Sequence, residues 1–132
     1  MFRRQMLSVV LICGLSYGCG GPMLLAAEPE FAKLVIDYGD GAERHFPKLA
    51  WQEKQTVLDL LAIAVKHPRG IKVATQGKGE LTMVIAIDEL KNEGRGKNWV
   101  YRVNGKLADR SCGVMELQQG DVVVWKFSAE MP

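Results

Sequence analysis

Side chains able to do covalent or metal chemistry are few in this chain, and they are scattered. Cys112 with His45 or His67 would make a thiol nucleophile and its base, but the surroundings Arg110-Ser111-Cys112-Gly113 carry no local protease signature. There is no HExxH pair and no CxxC, so a zinc site would need ligands gathered from distant positions, and no metal is expected. Gly77, Gly79, Gly94 and Gly96 suggest a phosphate loop until the spacing is compared with the motif. Gly96-Lys97 is followed by Asn98 rather than Ser or Thr, and Lys91 stands where the first Gly is needed, so these glycines read as turns. The chain is therefore read as non-catalytic.

The aromatic residues carry more information. Trp99 and Tyr101 are two apart on one strand-like run and share a face, and Trp125 and Phe127 do the same on the last run. An outward pair would form a flat apolar platform beside the polar Asn104 and Lys106, with Gly105 between them and the loop from Asp109 to Gln119 supplying backbone amides. Trp99, Tyr101, Asn104, Gly105 and Lys106 are accordingly the candidate ligand-binding residues. The other reading makes both pairs core, and spacing leaves the two open. Lys126, on the opposite face with Val122 and Val124, favours an inward Trp125.

These residues need elements to hold them. In the run 31–38, Ala32, Leu34, Ile36 and Tyr38 alternate with Phe31, Lys33, Val35 and Asp37, the period of a half-buried strand. Asp40-Gly41 then signals a hairpin, with a return strand over 44–50 in which Pro47 demands a sheet edge. At Thr56 the period changes: Thr56 and Asp59 form a capping box, and Leu58, Leu61, Ala62 and Val65 fall at i, i+3, i+4 and i+7. That stripe, widened by Val57, Leu60 and Ala64, is expected to lie on a sheet until Gly70 ends the helix. Further strand-like runs occur at 71–75, 81–87, 98–103 and 121–127, separated by glycine-rich loops. Asn104-Gly105 is a type I′ turn pair. The expected fold is α+β, a single β-grasp-like domain with one helix packed on a mixed, mostly antiparallel sheet.

The first 27 residues read as a signal peptide: Arg3 and Arg4, an apolar run, and a small-residue exit before Glu28. The uninterrupted apolar stretch is about 12 residues, short of the ~20 that a spanning helix needs. Lipidation at Cys19 is the alternative, although Ser16-Tyr17-Gly18 departs from the Leu-like residue that such a signal carries three positions before its cysteine. Loss of residues 1–27 would remove Cys13 and Cys19, leaving Cys112 without an intramolecular partner and best read as a buried small hydrophobe rather than a reactive thiol. It would also leave 15 of the 17 basic residues against 15 acidic ones. A balanced domain of that size lacks the basic surplus with which proteins displace counterions from nucleic acid, so that class is set aside. One small core fits the length, and a separate cofactor domain does not.

The run KNWVYRVNGKLADRSCGVMELQQGDVVVWKF at 97–127, preceded by QTVLDLLAIA at 55–64, resembles the transcobalamin-like C-terminal domain, found as a domain of unknown function in bacterial exported proteins. The shared pattern is a TVLDLL-type helix start, an aromatic strand ending in VNG, and a closing GD before an apolar strand with Trp. It covers about residues 31–128. The resemblance implies a β-grasp-like domain over 28–132 and a corrinoid such as cobalamin as ligand, with Trp99, Tyr101, Asn104, Gly105 and Lys106 at the positions to carry across. The vitamin B12 carriers of that family close this domain over one face of the ligand while a helical domain holds the other, and no such partner domain is present in this sequence. The expectation is an exported, non-catalytic module that binds a corrinoid or another small molecule. The alternative is an accessory, protein-interaction module of a larger cell-envelope complex, pairing through the edge strand near Pro47 or the 97–106 hairpin.

Overall fold

The computed structural model describes residues 30–130. The signal segment 1–27 and the cysteines within it lie outside the described residues.

The alternation at 31–38 produces β1 (Phe31–Asp37), whose Ala32, Leu34 and Ile36 are buried. The turn after it is closed by Asp37 and Asp40, whose carboxylates accept from the Gly39 and Ala42 amides at 2.9 and 3.0 Å. Gly39 sits at φ 81°, and a Cβ there would lie 2.4 Å from the Phe127 carbonyl oxygen, so this turn admits no side chain. β2 (Glu43–Ala50) returns antiparallel, with its register broken opposite Lys33, where Pro47 and Lys48 share one partner position.

β6 (Asn98–Val103) and β8 (Val122–Ser128) complete the main sheet in the order β2-β1-β8-β6-β7, where β7 is the two-residue strand Lys106–Leu107. β1 and β8 run parallel at its centre and every other pair is antiparallel. Pro47 is on the end strand, as its missing N–H requires. α1 (Val57–Lys66) begins at the capping box, with the Thr56 hydroxyl accepting from Asp59 N at 3.1 Å and the Asp59 carboxylate from Thr56 N at 3.0 Å. The helix lies over β1 and β2.

Two expectations need correction. The helix buries Val57, Leu60, Leu61 and Ala64, while Ala62 and Val65 are exposed and Leu58 is half-buried. The buried set is itself spaced i, i+3, i+4, i+7, so the helix carries two apolar stripes and the sheet selects the one rotated from the expected face. The strands also form two sheets rather than one. β3 (Val73–Gln76), β4 (Met83–Ile87) and β5 (Leu90–Lys91) make a separate antiparallel sheet, and β4 meets β6 by side-chain packing without joining its ladder. Leu34, Ile36, Leu60, Leu61, Ile87, Leu117 and Val123 are fully buried where the helix, the small sheet and the 108–117 loop meet the large sheet.

Candidate functional site

The pairing register fixes which side chains share the inner face of the large sheet. Ile36, Trp125 and Tyr101 lie in one row across β1, β8 and β6, and Trp99 stands opposite Phe127 in the next row. Tyr101 and Trp125 stack with ring centroids 4.8 Å apart and an interplanar angle of 35°, and Trp99 and Phe127 do so at 5.2 Å and 44°. All four are more than nine-tenths buried. The aromatic pairs are therefore no exposed platform, because the inner face that carries them is roofed by β4 and by the loop after β7.

The roof leaves a cleft of about 620 Å³. Its floor is Trp99, Tyr101 and Trp125, one wall is Thr82, Met83 and Val84, and the other is the segment from Leu107 to Cys112. That volume is within the range of small-molecule sites, roughly 300–1,000 Å³. The walls are pinned to each other: the Ser111 hydroxyl donates to the Thr82 carbonyl at 2.6 Å and accepts from Gly113 N at 3.1 Å. Tyr101 anchors the far wall by donating from its phenol to the Arg110 carbonyl at 2.6 Å. Arg110 itself is at the exposed rim, its Nε 2.9 Å from Asp109.

Hydrogen-bond accounting singles out one atom. Trp99 Nε1 donates to the Leu90 carbonyl at 2.9 Å and Trp51 Nε1 to the Leu117 carbonyl at 2.9 Å. Trp125 Nε1 is buried with no partner, alone among the side-chain polar atoms of the described residues. An unpaired buried N–H costs about 1–3 kcal/mol, and indole has no second donor with which to compensate. The Trp125 indole thus lines the cleft with its ring while its N–H is an unpaired donor enclosed in the protein interior.

Burial pushes the Tyr101 phenol well above its ordinary value, with Cys112 adding to the effect, and likewise raises the Cys112 thiol. Both stay protonated at neutral pH. His45 and His67 line a different groove, beside β2, so neither stands next to Cys112 as a base. Among the described residues no group of three or more His, Cys, Asp or Glu side chains could hold a metal. The N-terminus of α1 is no free anion site either, since the Met115 and Cys112 carbonyls accept from Val57 N and Leu58 N at 2.9 and 3.0 Å.

Of the residues expected from sequence, Trp99 and Tyr101 are in the cleft. Asn104, Gly105 and Lys106 are not: they form the exposed β6–β7 turn, with Asn104 at φ 53° and Gly105 at φ 84°. The Asn104 side chain is engaged within the fold, donating to Asp121 at 2.8 Å and accepting from Val122 N at 2.8 Å. It ties the turn to the start of β8. Of the expected loop from Asp109 to Gln119, the residues Asp109, Arg110, Ser111 and Cys112 line the cleft and the remainder does not. Thr82, Met83 and Val84 were not expected, and no local signal could have placed them, because they arrive on the second sheet.

The family model described as "Domain of unknown function (DUF4430)" matches residues 55–129. No curated protein matches significantly. Among solved structures, a candidate metal-binding protein from Ruminococcus gnavus is similar with a TM-score of 0.55 at 13% identity, over 77% of this chain and 99% of that one. Haptocorrin in complex with Cbi is similar with a TM-score of 0.57 at 11% identity, over 83% of this chain and 27% of that one. At these identities the likeness is one of fold.

Proposed function

The chain belongs to the transcobalamin-like family described as a domain of unknown function (DUF4430), and from that premise we propose that it is an exported, non-catalytic module binding a small molecule in the Trp99/Tyr101/Trp125 cleft. The observation that carries this reading is the cleft itself, roughly 620 Å³ with Trp99, Tyr101 and Trp125 as its aromatic floor. A ligand that offers an apolar edge to these rings and polar groups to the exposed Asp109 and Arg110 at the rim would fit it.

A corrinoid meets that description. Its periphery carries amide groups, each with a carbonyl acceptor, and the cleft would take one edge of the macrocycle while the remainder stayed outside. The bound Cbi of the haptocorrin structure, a cobinamide, suggests the probe. Export rests on the n-region, apolar run and small-residue exit of residues 1–27, and no helix among the described residues is long and apolar enough to cross a membrane.

The test is a titration of the purified protein with cobinamide, followed by tryptophan fluorescence and corrinoid absorbance. The expected result is a saturable change with Kd below about 10 μM, or about −7 kcal/mol. No change up to about 1 mM would remove the corrinoid reading.

A further inference from the structure

A second groove lies on the opposite side of the fold. Its volume is about 600 Å³, and it runs along β2, with the loop after α1 as its other wall. β2 ends the large sheet, and among the described residues no strand pairs with its far side. End strands present unpaired N–H and C=O groups that an extended segment can join, and nothing of this chain's described residues covers these.

The charge around this edge is one-sided. Over residues 28–132 basic and acidic residues balance, yet Arg44, Lys48 and Arg69 line the groove together with His45 and His67, against the single carboxylate of Glu43. That carboxylate is engaged by His45, 2.9 Å away. Arg44 is held in place from below, its guanidinium donating to the Arg69 and Gly70 carbonyls at the end of α1. Phe46 packs its ring edge-on against His67, centroids 5.3 Å apart, which fixes the loop wall against the strand. The groove is thus a rigid strand edge with cations on both sides.

We propose that this edge docks an acidic, extended segment of a partner protein, pairing with β2 from Glu43 to Phe46 and placing its carboxylates against Lys48 and Arg69. The register break at Pro47 and Lys48, and the missing Pro47 N–H, end the pairing there. A second copy of this chain is the poorer occupant, because two β2 edges would bring like charges together.

The experiment uses the purified protein and two blocked hexapeptides, one alternating Glu and Val and the other Lys and Val. Binding is read by fluorescence anisotropy and by backbone amide shifts. The expected result is saturable binding of the Glu peptide alone, weakening as salt rises, with shifts centred on 43–46. The variant Lys48→Glu/Arg69→Glu should weaken it by at least ~10-fold while leaving the far-ultraviolet circular dichroism unchanged, since both side chains are exposed. The proposal is overturned if the Glu peptide does not bind up to about 1 mM, if the Lys peptide binds equally, or if the double variant binds as well as the parent. It is also overturned if millimolar inorganic phosphate displaces the peptide completely, which would mark a small-anion site, or if sedimentation shows self-association through β2.

Discussion

Tyr101 and Trp125 face each other across β6 and β8 with ring centroids 4.8 Å apart, and their polar ends have opposite fates. The Tyr101 phenol donates to the Arg110 carbonyl, whereas the Trp125 indole N–H donates to nothing. One ring fixes the cleft wall, and the other leaves an unpaired donor buried in the interior.

Replacing Trp125 by Phe removes a group that gains nothing in the unliganded protein. Relief of the unpaired N–H, about 1–3 kcal/mol, offsets much of the lost ring volume. Trp99→Phe instead strands the Leu90 carbonyl and should cost about 2 kcal/mol more than Trp125→Phe in urea unfolding. Equal losses for the two would count against an orphan donor at Trp125.

Asn104→Ala separates a ligand role from a structural one. Loss of the bonds to Asp121 and Val122 N, together with the left-handed backbone at φ 53°, should destabilise the fold by about 2–3 kcal/mol. Thermal unfolding should show the loss while cobinamide affinity stays at the parent value. A large fall in affinity with little change in stability would restore Asn104 to the ligand site.

Cys112 is 3% exposed and its thiol is pushed above its ordinary value by burial. Alkylation at pH 8 should be slow in the native protein and complete after unfolding, because only the thiolate reacts. Rapid labelling of the folded protein would revive the nucleophile that sequence alone leaves open.

Alkaline pH should loosen the contact between the two sheets. Burial, followed by the hydrogen bond to Asp88 and the charge of that carboxylate, pushes the Tyr38 phenol from 10.0 up to about 12. A raised folded-state value means that the contribution is intact below pH 10 and is lost as pH climbs towards 12. Unfolding free energy measured from pH 9 to pH 12 should therefore decline, and Tyr38→Phe should flatten part of that decline. An identical slope in the variant would exclude Tyr38 as a source.

Local chemistry wrote much of the fold into the sequence. Thr56 and Asp59 set the start of α1 because a capping box involves only neighbouring residues, and Asn104-Gly105 turned where two positive φ angles were needed. Alternation over 31–37 identified the buried face of β1, and Pro47 placed β2 at an edge. The resemblance carried by TVLDLL, VNG and the closing GD led to the correct family and fold class.

The rest needed the tertiary structure. α1 carries two stripes with the same spacing, and only the shape of β1 and β2 beneath it chose Val57, Leu60, Leu61 and Ala64 over Leu58, Ala62 and Val65. Period-2 alternation likewise says that Trp99 and Tyr101 share a face, but not what covers it. The cover is β4 and the Asp109 to Cys112 segment, brought there by a second sheet that leaves the first ladder unpaired with it. The cleft and its orphan indole exist because segments far apart in sequence pack without exchanging backbone hydrogen bonds, and periodicity within one segment carries no record of such packing.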